Sequence, residues 1–417
     1  VKSLISLWSR LAEESASLCC TSATLDIKTV QRRYEHEGLS FLTITLPALG
    51  KATQKWLDQG QVDINSPYHK RRRGSLPPFL GGFFRRVFDR NSGALLDEPC
   101  IDSIIALRQL TLMFGKIELD CSKERQAQAI RNFTECEQDV RQFDSTISES
   151  DLADFGNMSN LLYGDMFTQL ELKLQEGGLM PKHGPGATAE GLSSNGKYLS
   201  QSWTSRLQRS FNFSEYLAAN VPSYVYSYMY EGSGGVSILE PGEEEPVRVH
   251  LVPKTLKTPR VIAIEPTCMQ YMQQALYGAF TECFERDNLL KRLIGFDDQV
   301  PNQELARRGS LGLGVATLDL SDASDRVSNQ LVRTMLRRWP ILLEAVDATR
   351  SRRAVLPGSD EVIRLAKFAS MGSALCFPME ALVFTTLIFL GIQRTLNAPL
   401  TRLGIKRSFS RSVRVYG

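Results

Sequence analysis

The sequence predicts an α+β protein built from more than one subdomain. The chain has 417 residues, more than a single ordinary core accommodates. Apolar residues recur at helical spacing over 101–114, over 124–143 and from about Pro378 onward. Short apolar, β-branched runs at 247–253, 260–264, 315–318 and 362–368 read as strands. Hydrophobic residues make up 42% and charged residues 23%, which sets the chain among ordinary globular proteins rather than disordered ones. A net charge of +3 is small, so binding to an acidic polymer would have to rest on local basic clusters.

Taken in order, residues 1–60 are mixed and carry no motif. Tyr68–Gly74 is a basic run beside Ser75-Leu-Pro-Pro, which reads as a loop suited either to solvent or to phosphate. Phe79–Phe88 alternates aromatics with arginines after paired glycines, the pattern of a close backbone approach or of an amphipathic element. Ile101–Phe114 and Glu124–Phe143 read as helices, the second with Ile130 and Phe133 inward, and the acidic, Ser-rich stretch 145–160 reads as a loop. Lys182–Thr188 is a Gly/Pro turn beside a basic pair, and 232–242 is a second Gly-rich loop. The eight cysteines form no CxxC pair and no zinc spacing with the four histidines, so free and mostly buried thiols are expected. The longest apolar run, Ala381–Ile392, is short for a bilayer span, and no membrane association is expected.

Three blocks carry chemistry. Val247–Pro253 alternates like a strand, Lys254–Pro259 is a basic turn, and Arg260–Ile264 returns, so Lys254, Lys257 and Arg260 gather at one end of a hairpin. Such a cationic tip suits a polyanion such as a triphosphate, and equally suits a plain surface turn. Val315–Leu318 reads as a buried strand ending in Asp319, followed by Asp322 and Asp325. A carboxylate ending a buried strand needs a compensating cation, and Mg²⁺ is the usual one where phosphates share the site. The same cluster also holds N-cap residues, so Ser321, Asp322 or Ser324 is expected to cap the next helix. That helix carries Val327, Leu331, Val332, Met335 and Leu336 on one side, with Arg333, Arg337 and Arg338 off the stripe. Finally, Ala369–Ala374 breaks a strand with small residues before a long apolar helix, which also fits an ordinary strand-to-helix connection.

These blocks together resemble the replicase subunit of the single-stranded RNA bacteriophages, the levivirus-type RNA-dependent RNA polymerases. Asp297-Asp-Gln-Val-Pro-Asn302 followed by Ala316–Asp325 is similar to the family's motif A and its lead-in. Ser370–Ser373 with Phe377–Phe384 resembles motif B, Val252–Pro266 resembles motif F, and His183–Thr188 resembles a signature of the fingers. Motif C of the family is Tyr-Gly-Asp-Asp, and the chain shows only Tyr416-Gly417 of it, so the resemblance implies an incomplete polymerase.

The resemblance implies a right-hand fold without its thumb: fingers and N-terminal region over 1–300 and a partial palm over 301–417. It implies two Mg²⁺ ions, with Asp319 and the backbone carbonyl of Leu320 among the ligands. Asp319 and Asp325 would be the catalytic carboxylates. Asp325 would lie near the sugar of the incoming nucleotide, in a pocket shaped by Ser370 and Gly372, and Lys254, Lys257 and Arg260 would hold the triphosphate. No general acid is assigned. The implied partners are template and nascent RNA, ribonucleoside triphosphates and, from the relatives, host translation factors and a ribosomal protein, all in the bacterial host cytoplasm. A reverse-transcriptase-like polymerase and a non-catalytic RNA-binding remnant remain open alternatives.

Overall fold

The computed structural model describes residues 2–63, 65, 67–68, 74–217, 236–359 and 361–416. It is a mixed α and β structure dominated by helices. Internal contacts divide it into two units. One runs up to Ala129 and includes Val252–Arg260; the other holds Ile130–Leu251 and everything from Val261 onward. The core of the second unit crosses residue 300 without a break. The basic run His69–Arg73 and Gly232–Gly235 lie outside the described residues.

In the first unit the helices Lys2–Leu18, Thr24–Glu37, Leu46–Gln59 and Ile101–Leu112 enclose a core that includes Trp8, Leu46, Trp56, Phe84, Leu107 and Leu110. The Trp8 indole donates to the Leu110 carbonyl at 2.8 Å, which satisfies the one polar atom that this buried ring brings inside. The mixed residues 1–60 are thus mostly helical. The paired glycines at 81–82 belong to packing: a Cβ on Gly82 would collide with the Thr21 hydroxyl. Phe83, Phe84, Val87 and Phe88 beyond them are buried, so the amphipathic reading of this stretch holds.

In the second unit, five helices share one core: Glu149–Gln175, Thr267–Arg286, Asn329–Leu336, Pro340–Thr349 and Cys376–Leu396. The first of these corrects the loop expected over 145–160. Ser148 accepts from the Asp151 amide as an N-cap, Glu149 and Asp151 complement the helix dipole, and Phe155, Met158, Leu162 and Met166 make a buried stripe. Acidic and serine content there marks a helix start and not a loop.

The Cys376–Leu396 helix has 21 residues, so it is longer than the apolar run suggested and passes the length and composition test for a membrane span. Its Leu382 carbonyl accepts from the buried Tyr163 hydroxyl at 2.9 Å, and Ala381, Leu382, Val383 and Phe389 lie in the core.

Four strands form the main sheet in the order β4-β3-β6-β7, with β3 Val247–Val252, β4 Arg260–Ile264, β6 Arg353–Val355 and β7 Val362–Arg364. The expected hairpin is therefore present. Val247 and Val249 point inward while Arg248 and His250 face out, the alternation of a half-buried strand. The strand expected over 362–368 is shorter, ending at Arg364. Ser202–Thr204 (β1) pairs in parallel with Ser237–Leu239 (β2), which places a strand within the loop expected over 232–242. All eight cysteines are free, five of them buried.

Candidate functional site

The segment 315–320 is not a strand, and this corrects the sequence reading. No described residue pairs with it, and Leu318 is 85% exposed. A strand needs a ladder partner for its backbone groups. Val415–Tyr416 (β8) pairs in parallel with Ile294–Gly295 (β5). Asp319 is consequently exposed and carries no desolvation burden, with no hydrogen bond or ion pair among the described residues. The cap also differs from expectation. Ser328 caps the Asn329–Leu336 helix by accepting from the Gln330 amide at 2.9 Å, while Asp322 occupies a left-handed turn at φ 52°. The helical stripe from Val327 to Leu336 is buried as expected, and Arg333, Arg337 and Arg338 are exposed.

Asp325 is the aspartate of the motif that a buried cation holds. It lies in a short 3₁₀ turn, Ser324–Arg326, and its Oδ1 accepts from the Lys367 ammonium at 2.7 Å. Lys367 is completely buried. Its Nζ also lies 3.2 Å from Glu137 Oε1, itself only 1% exposed, and 3.4 Å from the centroid of the Phe133 ring. A buried ammonium is tolerable only with such compensation: two carboxylates and the face of an aromatic ring. The lysine is fixed in turn by its own backbone. Arg350 donates to the carbonyls of Leu365, Lys367 and Phe368 at 2.9, 2.6 and 2.9 Å, and Phe368 N donates to the Val327 carbonyl at 2.7 Å. Cys136 donates its thiol to the Asp325 carbonyl at 3.4 Å. The Asp325 carboxylate is thus held by one oxygen, and its side chain keeps 22% of its surface exposed.

Glu380, on the long apolar helix, feels this group. Burial, and then the Asp325 charge, push its carboxyl up to about 7, and its Oε2 has no hydrogen-bond partner. Sequence reasoning missed Lys367, Glu137 and Glu380. One signal was available for the first. Lys367 shares strand parity with Leu365 and Ile363, both of which belong to or pack on the sheet core.

Ser370 and Gly372 occupy one loop. Ser370 is buried with an unpartnered hydroxyl beside a small enclosed cavity also lined by Glu265, Gln273 and Ser351. Gly372 has φ 132°, and a Cβ there would run into the Ala263 carbonyl, so no other residue fits without moving the loop. Ala263 N donates to the Met371 carbonyl at 2.8 Å, which lays this loop along β4.

The hairpin tip belongs to the first unit. Its turn is braced by Cys121, whose thiol donates to the Thr255 carbonyl at 3.0 Å, and by Arg125, which donates to the Leu256 carbonyl at 2.7 Å. Lys254, Lys257 and Arg260 are exposed and without ion-pair partners among the described residues. Three unneutralised cations on a braced turn create a local positive potential.

The His183–Thr188 turn packs on the Thr267–Arg286 helix. The His183 ring stacks on Tyr271 at 4.5 Å, and burial, with the nearby Lys197 charge, pushes its imidazole down to about 4. Thr188 accepts from the Thr267 hydroxyl at 2.8 Å, and Glu190 caps the same helix through the Thr267 amide at 3.0 Å. This turn is therefore built as a structural brace.

For a metal, Asp319 and the Leu320 carbonyl offer exposed hard oxygen donors, which suit Mg²⁺, an ion that ordinarily keeps water and substrate phosphates as further ligands. No group of three or more potential ligand side chains gathers among the described residues.

A braced cationic turn, a lysine-clamped aspartate and a glycine-fixed loop follow one another in this order along the chain. Residues 209–394 match the family model described as RNA replicase, beta-chain. Curated relatives are similar over about a third of the chain. The RNA-directed RNA polymerase subunit beta of Qbeta virus (strain MX1) is 38% identical over 136 residues, 33% of this chain and 22% of the relative. The RNA-directed RNA polymerase beta chain of Escherichia phage MS2 is 36% identical over 140 residues, 34% of this chain and 24% of the relative. That of Enterobacteria phage SP is 40% identical over 137 residues, 33% and 22%. The family read from the motifs is the family that both comparisons return, and the matched region spans under a quarter of the length of these relatives. The hairpin, the Asp319–Asp325 segment and the Ser370–Gly372 loop all fall inside the family match, whereas residues 1–208 fall outside it.

Proposed function

We propose that this chain is part of an RNA-dependent RNA polymerase that replicates a single-stranded RNA phage genome. The observation that carries the reading is the family match over 209–394, which spans all three chemistry-bearing blocks in the family's order. In this reading residues 1–300 are the fingers and N-terminal region and 301–417 palm, an assignment that rests on motif order. Lys254, Lys257 and Arg260 hold the triphosphate of the incoming ribonucleotide and offset charge that builds on it. Asp325, oriented by Lys367, directs its free oxygen to the ribose, where the 2′-hydroxyl separates RNA from DNA precursors. Ser370 and Gly372 shape the same pocket. Asp319 and the Leu320 carbonyl would hold Mg²⁺, and the chemistry it would supply there is activation of an attacking 3′-hydroxyl and charge stabilisation on the pyrophosphate leaving group. Template sequence is read by base pairing, so the protein grips only the backbone. The setting is the cytoplasm of a bacterial host, with host translation factors and a ribosomal protein as further partners suggested by resemblance alone.

The test is template-dependent incorporation of labelled ribonucleotides, with Mg²⁺, by the gene product that carries this sequence. Loss of a partner that merely supports a metal ligand costs about 10–100-fold, so Asp319→Ala should lower turnover by at least about a hundredfold, with RNA binding nearly intact. Lys254→Ala and Arg260→Ala should be milder, raising the nucleotide KM, because each removes one of several cations. The reverse ranking puts the metal site elsewhere. Incorporation of deoxyribonucleotides in preference to ribonucleotides makes the protein reverse-transcriptase-like, and binding without any incorporation makes it a non-catalytic RNA-binding protein.

A further inference from the structure

We propose that an arginine-lined cleft in the second unit binds the phosphodiester backbone of single-stranded RNA, independently of the residues proposed to handle the nucleotide. The cleft has a volume of about 680 Å³ and is lined by six arginines against two aspartates. Its lining includes none of Asp319, Asp325, Ser370, Gly372 or the hairpin cations. Four separate parts of the fold supply the arginines. Arg141 comes from the Lys123–Thr146 helix, Arg333 and Arg337 from the Asn329–Leu336 helix and its C-cap, Arg350 and Arg352 from the turn after Pro340–Thr349, and Arg364 from β7.

Convergence from four elements is what a binding site shows and a solvated helix face does not. Arg333 and Arg337 are four apart, so they stand on the same face, about 6 Å apart along the axis. Asp347 takes Arg333 on one oxygen at 3.3 Å and Arg352 on the other at 2.8 Å. It thereby orients two guanidinium groups while leaving most of their five N–H donors free. Arg141 is anchored through the Arg364 carbonyl. Arg350 forms the floor, its side chain held by three backbone carbonyls. Asp144, the other acid, is engaged with Ser328, and burial raises its carboxyl. Arg337 and Arg364 are exposed and have no ion-pair partner among the described residues. The cleft therefore carries a net positive charge that nothing described in the molecule neutralises.

The ligand's chemistry follows from what lines the cleft. Guanidinium forks match phosphate bidentately. The lining contains no aromatic ring, so bases have no platform on which to stack, and a free nucleotide would be held by its phosphates alone. A polymer that presents phosphate after phosphate gains from several spaced arginines at once, without regard to sequence. The inference rests on the proposed replicase function only for the identity of that polymer as RNA.

The test is fluorescence anisotropy of a labelled 20-nucleotide oligo(U) with the full chain, titrated between about 50 and 300 mM salt. Arg337→Gln with Arg364→Gln leaves the Asp347 pairs intact, and a thermal melt verifies folding. Each lost single-strand phosphate contact flattens the plot of log affinity against log salt by about 0.7, so the double variant should flatten it by about 1.4, with about a tenfold loss of affinity. The single variant Arg337→Gln, expected to flatten it by about 0.7, serves if the double variant does not fold. Unchanged slope and affinity overturn the proposal. So does loss of binding to a polyglutamate peptide with RNA binding unchanged, which would make the cleft a seat for an acidic protein segment. The measurement needs no incorporation. An unchanged slope in a protein whose polymerase activity depends on Asp319 rejects the cleft alone, whereas a wild-type chain that binds no RNA rejects the replicase reading as well.

Discussion

The ammonium of Lys367 lies 2.7 Å from Asp325 Oδ1 with no exposure of its own to solvent. This contact joins the acidic motif at 319–325 to the segment that leads into Ser370 and Gly372. It also makes the aspartate's position a property of the second unit's interior. The cation is shared with Glu137, so three ionised groups depend on one another.

Removal of Lys367 should therefore be costly. Lys367→Met leaves the buried Glu137 and the half-held Asp325 without their cation, and the loss of one member of a buried pair typically costs about 3–5 kcal/mol. Urea denaturation of the variant should show a loss in that range. Glu137→Gln combined with Lys367→Met should recover more than half of it, because the uncompensated carboxylate is gone. A single variant within about 1 kcal/mol of the parent would mean that solvent reaches the site.

For Asp325 the proposed role is selection of the sugar. Asp325→Ala in the gene product should lower the preference for ribonucleotides over deoxyribonucleotides by about tenfold in kcat/KM, since one hydrogen bond to the 2′-hydroxyl is lost. Some incorporation should persist. A variant weak with both nucleotide types and unchanged in preference would assign Asp325 to metal binding or to structure.

Gly372→Ala should cost about 1–3 kcal/mol, because both its φ of 132° and the Ala263 carbonyl oppose a side chain. Amide exchange at Ala263, whose N–H is bonded to Met371, should quicken in the variant. Gly278→Ala is the control. Gly278 is exposed on the Thr267–Arg286 helix with open space at its Cβ, and the change should stabilise by about 0.5–1 kcal/mol. Equal effects at the two positions would contradict the described loop.

Glu265 should make stability depend on pH. Burial raises its carboxyl from the ordinary 4.5 to about 7, with Ser351 and Gln273 bonded to it and Arg350 nearby. The neutral acid is the form that the folded protein favours. Its contribution is fully present below about 4.5 and is lost as pH rises through about 7. Between pH 5 and 7.5 the parent should lose at least about 1 kcal/mol of stability relative to Glu265→Gln, which has no proton to release. Parallel pH profiles for the two proteins would show that Glu265 is ionised throughout.

The hairpin and the Val327–Leu336 stripe were legible in the sequence because periodicity is a local property. Val247 and Val249 alternate with polar neighbours, and Leu331, Val332, Met335 and Leu336 repeat at helical spacing, whatever they pack against. The resemblance to the family was legible for a similar reason, since the family's motifs are contiguous runs, and the 209–394 match contains three of them. The strand over 315–318 and the loop over 145–160 were misread. Composition alone does not say whether a ladder partner exists, nor that Ser148 will cap a helix.

The sequence by itself determined the strongly periodic elements, the family resemblance and the residues that bear charge. Only the tertiary structure decided which of those charges face one another. Lys367 meets Glu137 from 230 positions away and Asp325 from 42, and the arginine cleft draws on segments from 141 to 364. The physical reason is that a buried charge must be neutralised by whatever the folded chain brings within a few ångströms, a requirement that acts on distance in space and leaves no period along the chain.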